Sequence, residues 1–542
     1  MKKLFLPLAA VAMFAVSCSG DRAFERASAT ITAGELRDYT RILGADSMMG
    51  RKPFTPGEEI TVKYLAGELE KIGFSPAFGD SWFQEVPMVE ITTAVNGPAV
   101  ITAAGKKIEF IAPDEIAVES PSMKEYIELV DIPMVFCGFG IVAPEYGWND
   151  FAGVDVKGKC AVVLVNDPGL YTGDTSLFKG KTMTYYGRWT YKYEEAARQG
   201  AAAILIIHET VGAGYDFSIP RKSSISPGLY QEPAPGDPEP CPVTGWLSDG
   251  AASELFGALG YDVGKLREDA CQKGYNGFST GASISLRLTN SHVRNTSLNV
   301  AGILPGRTRP EEAIVISGHW DHFGIGEKEK GDSIYNGAVD NGTTMAWAFE
   351  IGEAFASLKQ RPERSVILFF PTAEEQGLLG SAWFAANPPV SRDNLVACFN
   401  NDMMLPIGRM KDIMVTGYGQ SELDDMLADA AMKQDRYAMP DPHPETGMYF
   451  RSDHFPFARI GVPALFARGN CDSREFGKEW AADQERDYLT NKYHKPADNY
   501  CPEMNFDGIV EDAQAIFDVA YRIVTTETRP AWKTGSEFAN IR

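Results

Sequence analysis

The sequence predicts an α/β protein: a mostly parallel mixed sheet sandwiched by helices, with a β-rich α/β domain inserted into it. The first observation is that apolar strands and helical segments alternate from about residue 299 onward, as in parallel sheets covered by helices on both faces. The second is that residues 120–288 contain short apolar strands but no dense cluster of metal-ligating or nucleophilic residues, which indicates a separate domain. Strands are expected at 313–317, 365–370, 395–400, 412–416 and 463–467, and helices at 343–358, 377–386, 421–433 and 507–524.

Length and charge limit the classes of protein. The chain has 542 residues, which predicts two or three domains. Its composition is 44% hydrophobic, enough for substantial cores, and its net charge is −22. So large a negative charge argues against nucleic acid and anionic membrane surfaces as partners.

The N-terminus is typical of a targeting segment. Two lysines precede an apolar run from Leu4 to Val16, which is too short to span a membrane in the mature protein. Small residues then lead to Cys18. We expect residues 1–17 to be a bacterial lipoprotein signal, with a lipid on the Cys18 sulfur; an ordinary signal peptide with an incidental cysteine is the alternative. The body is therefore expected in the cell envelope, joined to the membrane only by this anchor.

The remaining seven cysteines lack the CxxC spacing of structural zinc clusters. Export permits disulfides, and we expect Cys471 and Cys501 to pair. Because seven is odd, at least one thiol should be free.

The chain before the insertion begins with a polar tether, residues 18–32. A helix is expected over 34–40, a loop over 46–51, and a second helix that starts at Pro56. Residues 84–112 alternate like strands.

The chemistry of the chain lies in short motifs rich in histidine and carboxylate. Sheets of this class place ligands at the carboxyl ends of their strands, and His319, Glu374 and Asp402 each follow a predicted strand. Two-metal hydrolysis needs a bridging carboxylate, terminal ligands and an unligated carboxylate as base. Adjacent glutamates in extended backbone diverge, so Glu374 and Glu375 can divide the last two roles. The motifs are Gly318-His319-Trp320-Asp321-His322, Ala338-Val339-Asp340-Asn341-Gly342, Glu374-Glu375-Gln376-Gly377, Asn400-Asn401-Asp402 and Tyr493-His494.

These motifs, in this order, resemble the two-zinc aminopeptidases, a family that also includes glutamate carboxypeptidases. The resemblance implies two Zn²⁺ per chain and a cis peptide bond after Asp340. It also implies that Asp340 bridges the ions, that Glu374 is the general base, and that Asp321 orients a histidine ring. Tyr493 would donate to the developing oxyanion. The implied terminal ligands are His319, Glu375, Asp402 and His494.

The inserted segment resembles a protease-associated domain, on the residues Gly138-Phe139-Gly140, Asp155-Val156-Lys157-Gly158-Lys159 and Gly200-Ala201-Ala202-Ala203. The expected division is therefore a catalytic domain in two parts, 33–119 and 289–527, an insertion at 120–288, and a C-terminal tail at 528–542.

Several alternatives stay open at the level of single residues. His322 competes with His319, and His454 competes with His494. The piece from Arg451 to His454 also resembles a family motif near the substrate, so Arg451, Asp453 and His454 are candidate substrate-binding residues. Carboxylate-rich sites accept manganese or cobalt as well as zinc.

The expected function is an exported zinc metallopeptidase, an aminopeptidase that removes N-terminal residues from peptides. A carboxypeptidase is the first alternative, and it would need cationic groups for a free carboxylate, such as Arg451 or Arg468. A branch of the family that cyclises N-terminal glutamine is disfavoured by the complete ligand set. A non-catalytic peptide-binding lipoprotein is the alternative from a different class.

Overall fold

The computed structural model describes residues 22–234 and 236–541. They form two compact units. The first unit contains the described residues of 1–86, 296–441 and 451–542, and the second contains those of 87–295 and 442–450. No helix among the described residues combines the length and apolarity needed to cross a membrane.

The first unit is built on a mixed sheet whose four central strands are parallel neighbours, in the order Arg364–Phe370, Arg309–Ser317, Leu395–Asn400 and Ala464–Arg468. Residues 300–304 flank one side in the antiparallel sense and pair in turn with Ser75–Pro76. Asp412–Thr416 flanks the other side, also antiparallel, followed by Tyr437–Pro440. The expected fold class is confirmed.

Helices cover both faces of this sheet because its central strands are apolar on both faces. Along Arg364–Phe370, Val366 and Leu368 pack into one core, whereas Ile367 and Phe369 pack into another. The helices of the first unit are Ala33–Leu43, Pro56–Lys71, Thr344–Ala356, Leu379–Ala386, Leu423–Lys433, His454–Arg459, Gly477–Asn491 and Asp507–Thr525.

The second unit has a parallel set of strands, Tyr126–Phe136, Cys160–Leu164, Ala203–Ile207 and Val243–Leu247, with Ile116–Glu119 antiparallel at its edge. Its other strands are antiparallel, and Ala99–Ala103 pairs with Lys106–Phe110 and with residues 283–285. Its longer helices are Trp189–Arg198, Asp249–Ala258 and Val263–Ala270.

Four expectations about the chain require correction. The second unit begins at residue 87 and its main segment ends at residue 295, whereas the insertion was expected to begin at residue 120 and end at residue 288. The reason is that the strands between residues 87 and 119 pair within the second unit. Residues 22–32 are not a free tether, since Ala27 and Ile31 are buried in the core. The tail beyond 528 is also packed, with Phe538 buried. Cys471 and Cys501 are both free thiols. The signal segment and Cys18 lie outside the described residues.

Candidate metal centre

Three adjacent parallel strands carry the first candidate ligands. His319 follows Arg309–Ser317, Glu374 follows Arg364–Phe370, and Asp402 follows Leu395–Asn400. Because neighbouring parallel strands end at the same edge of the sheet, these side chains converge there. The convergence predicted from strand positions is therefore observed.

Asp340 reaches the same edge from a loop that precedes the helix Thr344–Ala356. The peptide bond Asp340–Asn341 is cis, as the resemblance implied. The loop turns at Gly337, whose φ of 56° is in the left-handed region. A side chain there would place its Cβ 2.1 Å from the Asp340 carbonyl oxygen, so this turn requires glycine.

The carboxylate of Asp340 lies between two groups of ligand atoms. Its Oδ1 is 3.3 Å from His319 Nε2, which is 3.4 Å from Asp402 Oδ1. Its Oδ2 is 3.3 Å from His494 Nε2, which is 3.1 Å from Glu375 Oε2. Zinc bonds of about 2.0–2.1 Å in a tetrahedron separate donor atoms by about 3.3 Å. The two groups therefore have the donor spacing of two zinc sites that share one carboxylate.

The chemistry of these donors also fits zinc, which accepts histidine nitrogen and carboxylate oxygen. Among the described residues, His319 Nε2, His494 Nε2 and Asp402 Oδ1 are buried atoms that have no hydrogen-bond partner. Buried polar atoms are rarely left unpaired. Bound cations would satisfy all three atoms, so the residues present fit the implied metal.

Glu374 stands apart from both groups. Its Oε2 is 3.8 Å from His319 Nε2, beyond the spacing of shared ligands. The Asp321 carboxylate accepts hydrogen bonds from the backbone amides of Glu374, at 3.0 Å, and Glu375, at 3.3 Å. The two glutamates are thus held by one buried carboxylate while their side chains diverge. This arrangement leaves Glu374 available as a base.

The expected role of the Asp321 carboxylate requires correction. It lies 3.8 Å from His319 Nδ1, whereas the carbonyl oxygen of the same residue lies 3.0 Å from that nitrogen. A proton on Nδ1 is therefore donated to the backbone, which leaves the lone pair of Nε2 free for a metal. Asp321 orients the ring through its main chain and orients the glutamate pair through its side chain.

The electrostatics of the cluster are dominated by its carboxylates. Burial by itself lowers the pKa of His494, but Glu375 and Asp340 outweigh it and raise the pKa to about 10. The pKa of His319 is likewise held well above its ordinary value, against burial, by Glu374 and other acidic neighbours. Burial, together with nearby carboxylates, holds the pKa of Glu374 well above its ordinary range. Such an excess of acidic groups favours bound cations.

His322 lies beside the second group and forms a possible ligand set with Asp340 and Glu375, and its Nε2 is a buried atom with no hydrogen-bond partner among the described residues. Its Nδ1 lies 2.7 Å from Glu375 Oε1, a hydrogen-bond distance that is too short for two donors on one zinc ion. The other oxygen of Glu375 faces His494. Through Nδ1, His322 orients Glu375, whereas His494 Nε2 lies at ligand spacing from both Glu375 and Asp340.

The remaining candidates lie around this cluster. His454 is fully buried beside the Phe466 ring, with 5.1 Å between ring centroids, and belongs to neither ligand group. Asp453 is also fully buried, and its charge contributes to the raised pKa of Glu374. The Tyr493 ring stacks on His494, with centroids 3.6 Å apart.

Two residues that hold the Asp340 loop were missed by the sequence analysis. Asp498 accepts hydrogen bonds from the backbone amides of Val339 and Asp340, the latter at 3.0 Å. Asp498 follows His494 closely in the sequence, in the same segment as the last proposed ligand. Arg51 donates hydrogen bonds to carbonyl oxygens of the same loop. Nothing in its local sequence marked it, because the loop 46–51 is distant in the chain.

An α/β sheet that presents two ligand groups around one shared aspartate defines a candidate metal-dependent hydrolase. Residues 299–515 match the sequence profile of Peptidase family M28. This part of the chain, which contains all five proposed ligands, is therefore similar to that peptidase family.

Individual known proteins are similar in sequence to parts of this chain. A probable zinc metalloprotease of Pyricularia oryzae is 31% identical over 106 residues, which is 20% of each chain. Carboxypeptidase Q of Rattus norvegicus is 28% identical over 261 residues, 47% of this chain and 44% of that protein. The chain therefore spans less than half the length of these relatives. Among solved structures, an aminopeptidase from Aneurinibacillus sp. strain AM-1 is similar at 17% identity and a TM-score of 0.45, covering 93% of this chain and 97% of that chain.

Proposed function

We propose that this protein is a two-zinc exopeptidase, and that it acts as an aminopeptidase releasing N-terminal residues from peptides. The observation that carries the proposal is the Asp340 carboxylate, with one oxygen 3.3 Å from His319 Nε2 and the other 3.3 Å from His494 Nε2. A carboxylate that faces two ligand groups in this way is suited to bridge a pair of ions. The match of residues 299–515 to Peptidase family M28 supports the peptidase chemistry.

Zinc held by these residues would supply a Lewis acid that polarises the scissile carbonyl and lowers the pKa of a bound water molecule. Glu374, held through its amide by Asp321, accepts the proton of that water and returns it to the leaving amine. Tyr493, stacked on His494, donates a hydrogen bond to the oxyanion that develops on the substrate. Arg451, Asp453 and His454 are proposed to border the peptide-binding cleft.

The setting of the enzyme is also a proposal. The N-terminal sequence supports export as a lipoprotein anchored through Cys18, in the cell envelope. We propose that the second unit is a protease-associated domain, because its glycine-rich motifs resemble those of such domains.

The test uses one short peptide in two forms, one acetylated at its N-terminus and one amidated at its C-terminus. Purified protein supplied with zinc is expected to cleave only the amidated form, because that form keeps a free amine, and a chelator should abolish cleavage. Two zinc ions per chain are expected by elemental analysis. Cleavage of neither form by the zinc-loaded protein would contradict the proposal and favour a peptide-binding lipoprotein.

One observation favours a carboxypeptidase as the second candidate. Arg468 ends the strand Ala464–Arg468, the parallel neighbour of the strand that ends at Asn400. Its side chain is only 7% exposed and lies over the Phe466 ring, 4.8 Å from the centroid. Its Nε and Nη1 have no hydrogen-bond partner among the described residues. A buried guanidinium without an anion is costly, and the terminal carboxylate of a peptide would pair with it.

This second candidate predicts that the acetylated peptide, with its free carboxylate, is the one cleaved. Arg468→Met would then raise KM for that peptide by tenfold or more, with little change in kcat. Arg409→Met is the matched control, because Arg409 is a more exposed arginine paired with Glu511. Equal KM values for wild type and Arg468→Met would exclude Arg468 as the carboxylate contact.

A further inference from the structure

We propose that Arg51 is a positioning residue that holds Asp340 and His319 at ligand spacing and thereby sets the affinity of the site for zinc. The inference rests on the proposed two-zinc site. Arg51 would act through the backbone of the ligand-bearing loops and would touch neither substrate nor metal.

The side chain of Arg51 is completely buried and uses all three of its nitrogens as donors. Nε donates at 2.8 Å, Nη1 at 2.6 Å to one of its two acceptors, and Nη2 at 2.9 and 3.3 Å. A guanidinium presents its donors in a rigid planar fork, so these contacts fix the acceptors relative to one another. The five acceptors are the carbonyl oxygens of Leu43, Trp320, Asn336, Gly337 and Asp340.

Four of the five acceptors lie in the two loops that carry metal ligands. Trp320 is the residue directly after His319, and the Asn336, Gly337 and Asp340 carbonyls belong to the loop of the bridging carboxylate. The carbonyl oxygen of Arg51 also accepts a hydrogen bond from the amide of His322, at 3.2 Å. One residue thus ties both loops together through their backbones.

The local backbone is shaped to admit this arginine. Arg51 itself has a φ of 48°, and the preceding Gly50 has a φ of 66°. A Cβ at Gly50 would lie 2.5 Å from the Gly324 carbonyl oxygen, and a Cβ at Gly337 would lie 2.8 Å from Arg51 Nη2. Gly337 therefore permits the close approach of Arg51 to the Asp340 loop, and Gly50 permits the close approach of the preceding backbone to Gly324.

The positive charge of Arg51 also helps to hold the loops that carry the ligands. The guanidinium interacts with Asp340, Asp321 and Glu375, as well as with Asp498. Asp498 complements Arg51, because it binds amides of the Asp340 loop whereas Arg51 binds its carbonyls. The loop is thus held by a cation through its acceptors and by an anion through its donors.

The test compares zinc affinities of wild type, Arg51→Lys and Arg51→Gln by competition with a chelating dye, independently of peptidase activity. Lysine keeps the charge but cannot reach five acceptors, so we expect zinc binding about 10–100-fold weaker than in wild type. Glutamine should weaken it at least as much. The increase in Tm on zinc addition should shrink in both variants.

Arg364→Lys is the matched control. Arg364 is 1% exposed and donates to several carbonyl oxygens of residues 523–528. It begins its strand, however, and therefore lies at the end of the sheet opposite to the ligands. This variant should lower Tm while keeping wild-type zinc affinity.

Unchanged zinc affinity in both Arg51 variants would overturn the inference and leave the proposed function intact. Arg51 variants that cannot be folded without zinc would also overturn it, because the arginine would then hold the fold itself. A wild-type protein that binds no zinc would instead contradict the proposed function as well.

Discussion

Replacement of Glu374 by glutamine separates general-base catalysis from metal binding. Glutamine has the same shape, and its backbone amide would keep the hydrogen bond to Asp321. Glu374 Oε2 lies 3.8 Å from His319 Nε2, outside the 3.1–3.4 Å spacing of the proposed ligands. The variant should therefore retain its metal but lose the ability to accept a proton.

The expected loss follows from the chemistry of proton transfer. A positioned general base contributes about 10²–10⁴-fold in rate, which corresponds to about 2.7–5.4 kcal/mol of activation free energy. We expect kcat for the cleaved peptide to fall by that factor while KM and zinc content remain near wild type.

The assay pairs steady-state kinetics with elemental analysis of the same preparation. Activity within threefold of wild type would refute the assignment of Glu374 as base. Loss of a zinc ion would refute the assignment differently, because it would make Glu374 a ligand. Asp425→Asn is a suitable control, since Asp425 is an exposed carboxylate that pairs with Lys533.

Three further predictions follow from other parts of the first unit. Glu375→Gln should halve the zinc content measured by elemental analysis, because Glu375 Oε2 lies at ligand distance from only one histidine, His494; two retained ions would contradict this. Burial raises the pKa of Glu350 to about 9, so its contribution to stability is lost as pH rises from about 4.5 towards 9. Glu350→Gln should therefore unfold like wild type at pH 5 but be more stable by about 1 kcal/mol or more at pH 8, and equal denaturation midpoints at pH 8 would argue against it. Thiol titration of the unfolded protein without reductant should count both Cys471 and Cys501 as free, whereas a deficit of two thiols would indicate the disulfide.

The sequence predicted the regular elements well where the periodicity of apolar residues was strong. The expected strand at 395–400 is observed as Leu395–Asn400, and the expected helix at 507–524 as Asp507–Thr525. Buried strands and amphipathic helices are specified by local pattern, so their bounds can be read without tertiary information. The predicted domain limits differ from the limits of the two compact units. The pairing of the strand 99–103 with residues 283–285 could not be predicted, because neither segment has a sequence pattern that identifies its partner.

The candidate ligands were accessible to sequence for a related reason. Histidine and carboxylate residues directly after parallel strands must meet at one edge of the sheet, so the order of strands and motifs along the chain is enough to group His319, Glu374 and Asp402. The role of Asp321 could not be assigned correctly in this way. The choice between its carbonyl and its carboxylate as partner of His319 is a difference of 0.8 Å, between 3.0 and 3.8 Å, that only atomic positions reveal.

The sequence by itself therefore determined the fold class and the list of ligand candidates, since both depend on local pattern and residue type. Only the tertiary structure decided how the ligands are held. Arg51 meets Asp340 across a separation of 289 residues, through backbone carbonyls that every residue possesses. A contact of that kind has no sequence signature, because its acceptors are defined by position in space rather than by side-chain chemistry.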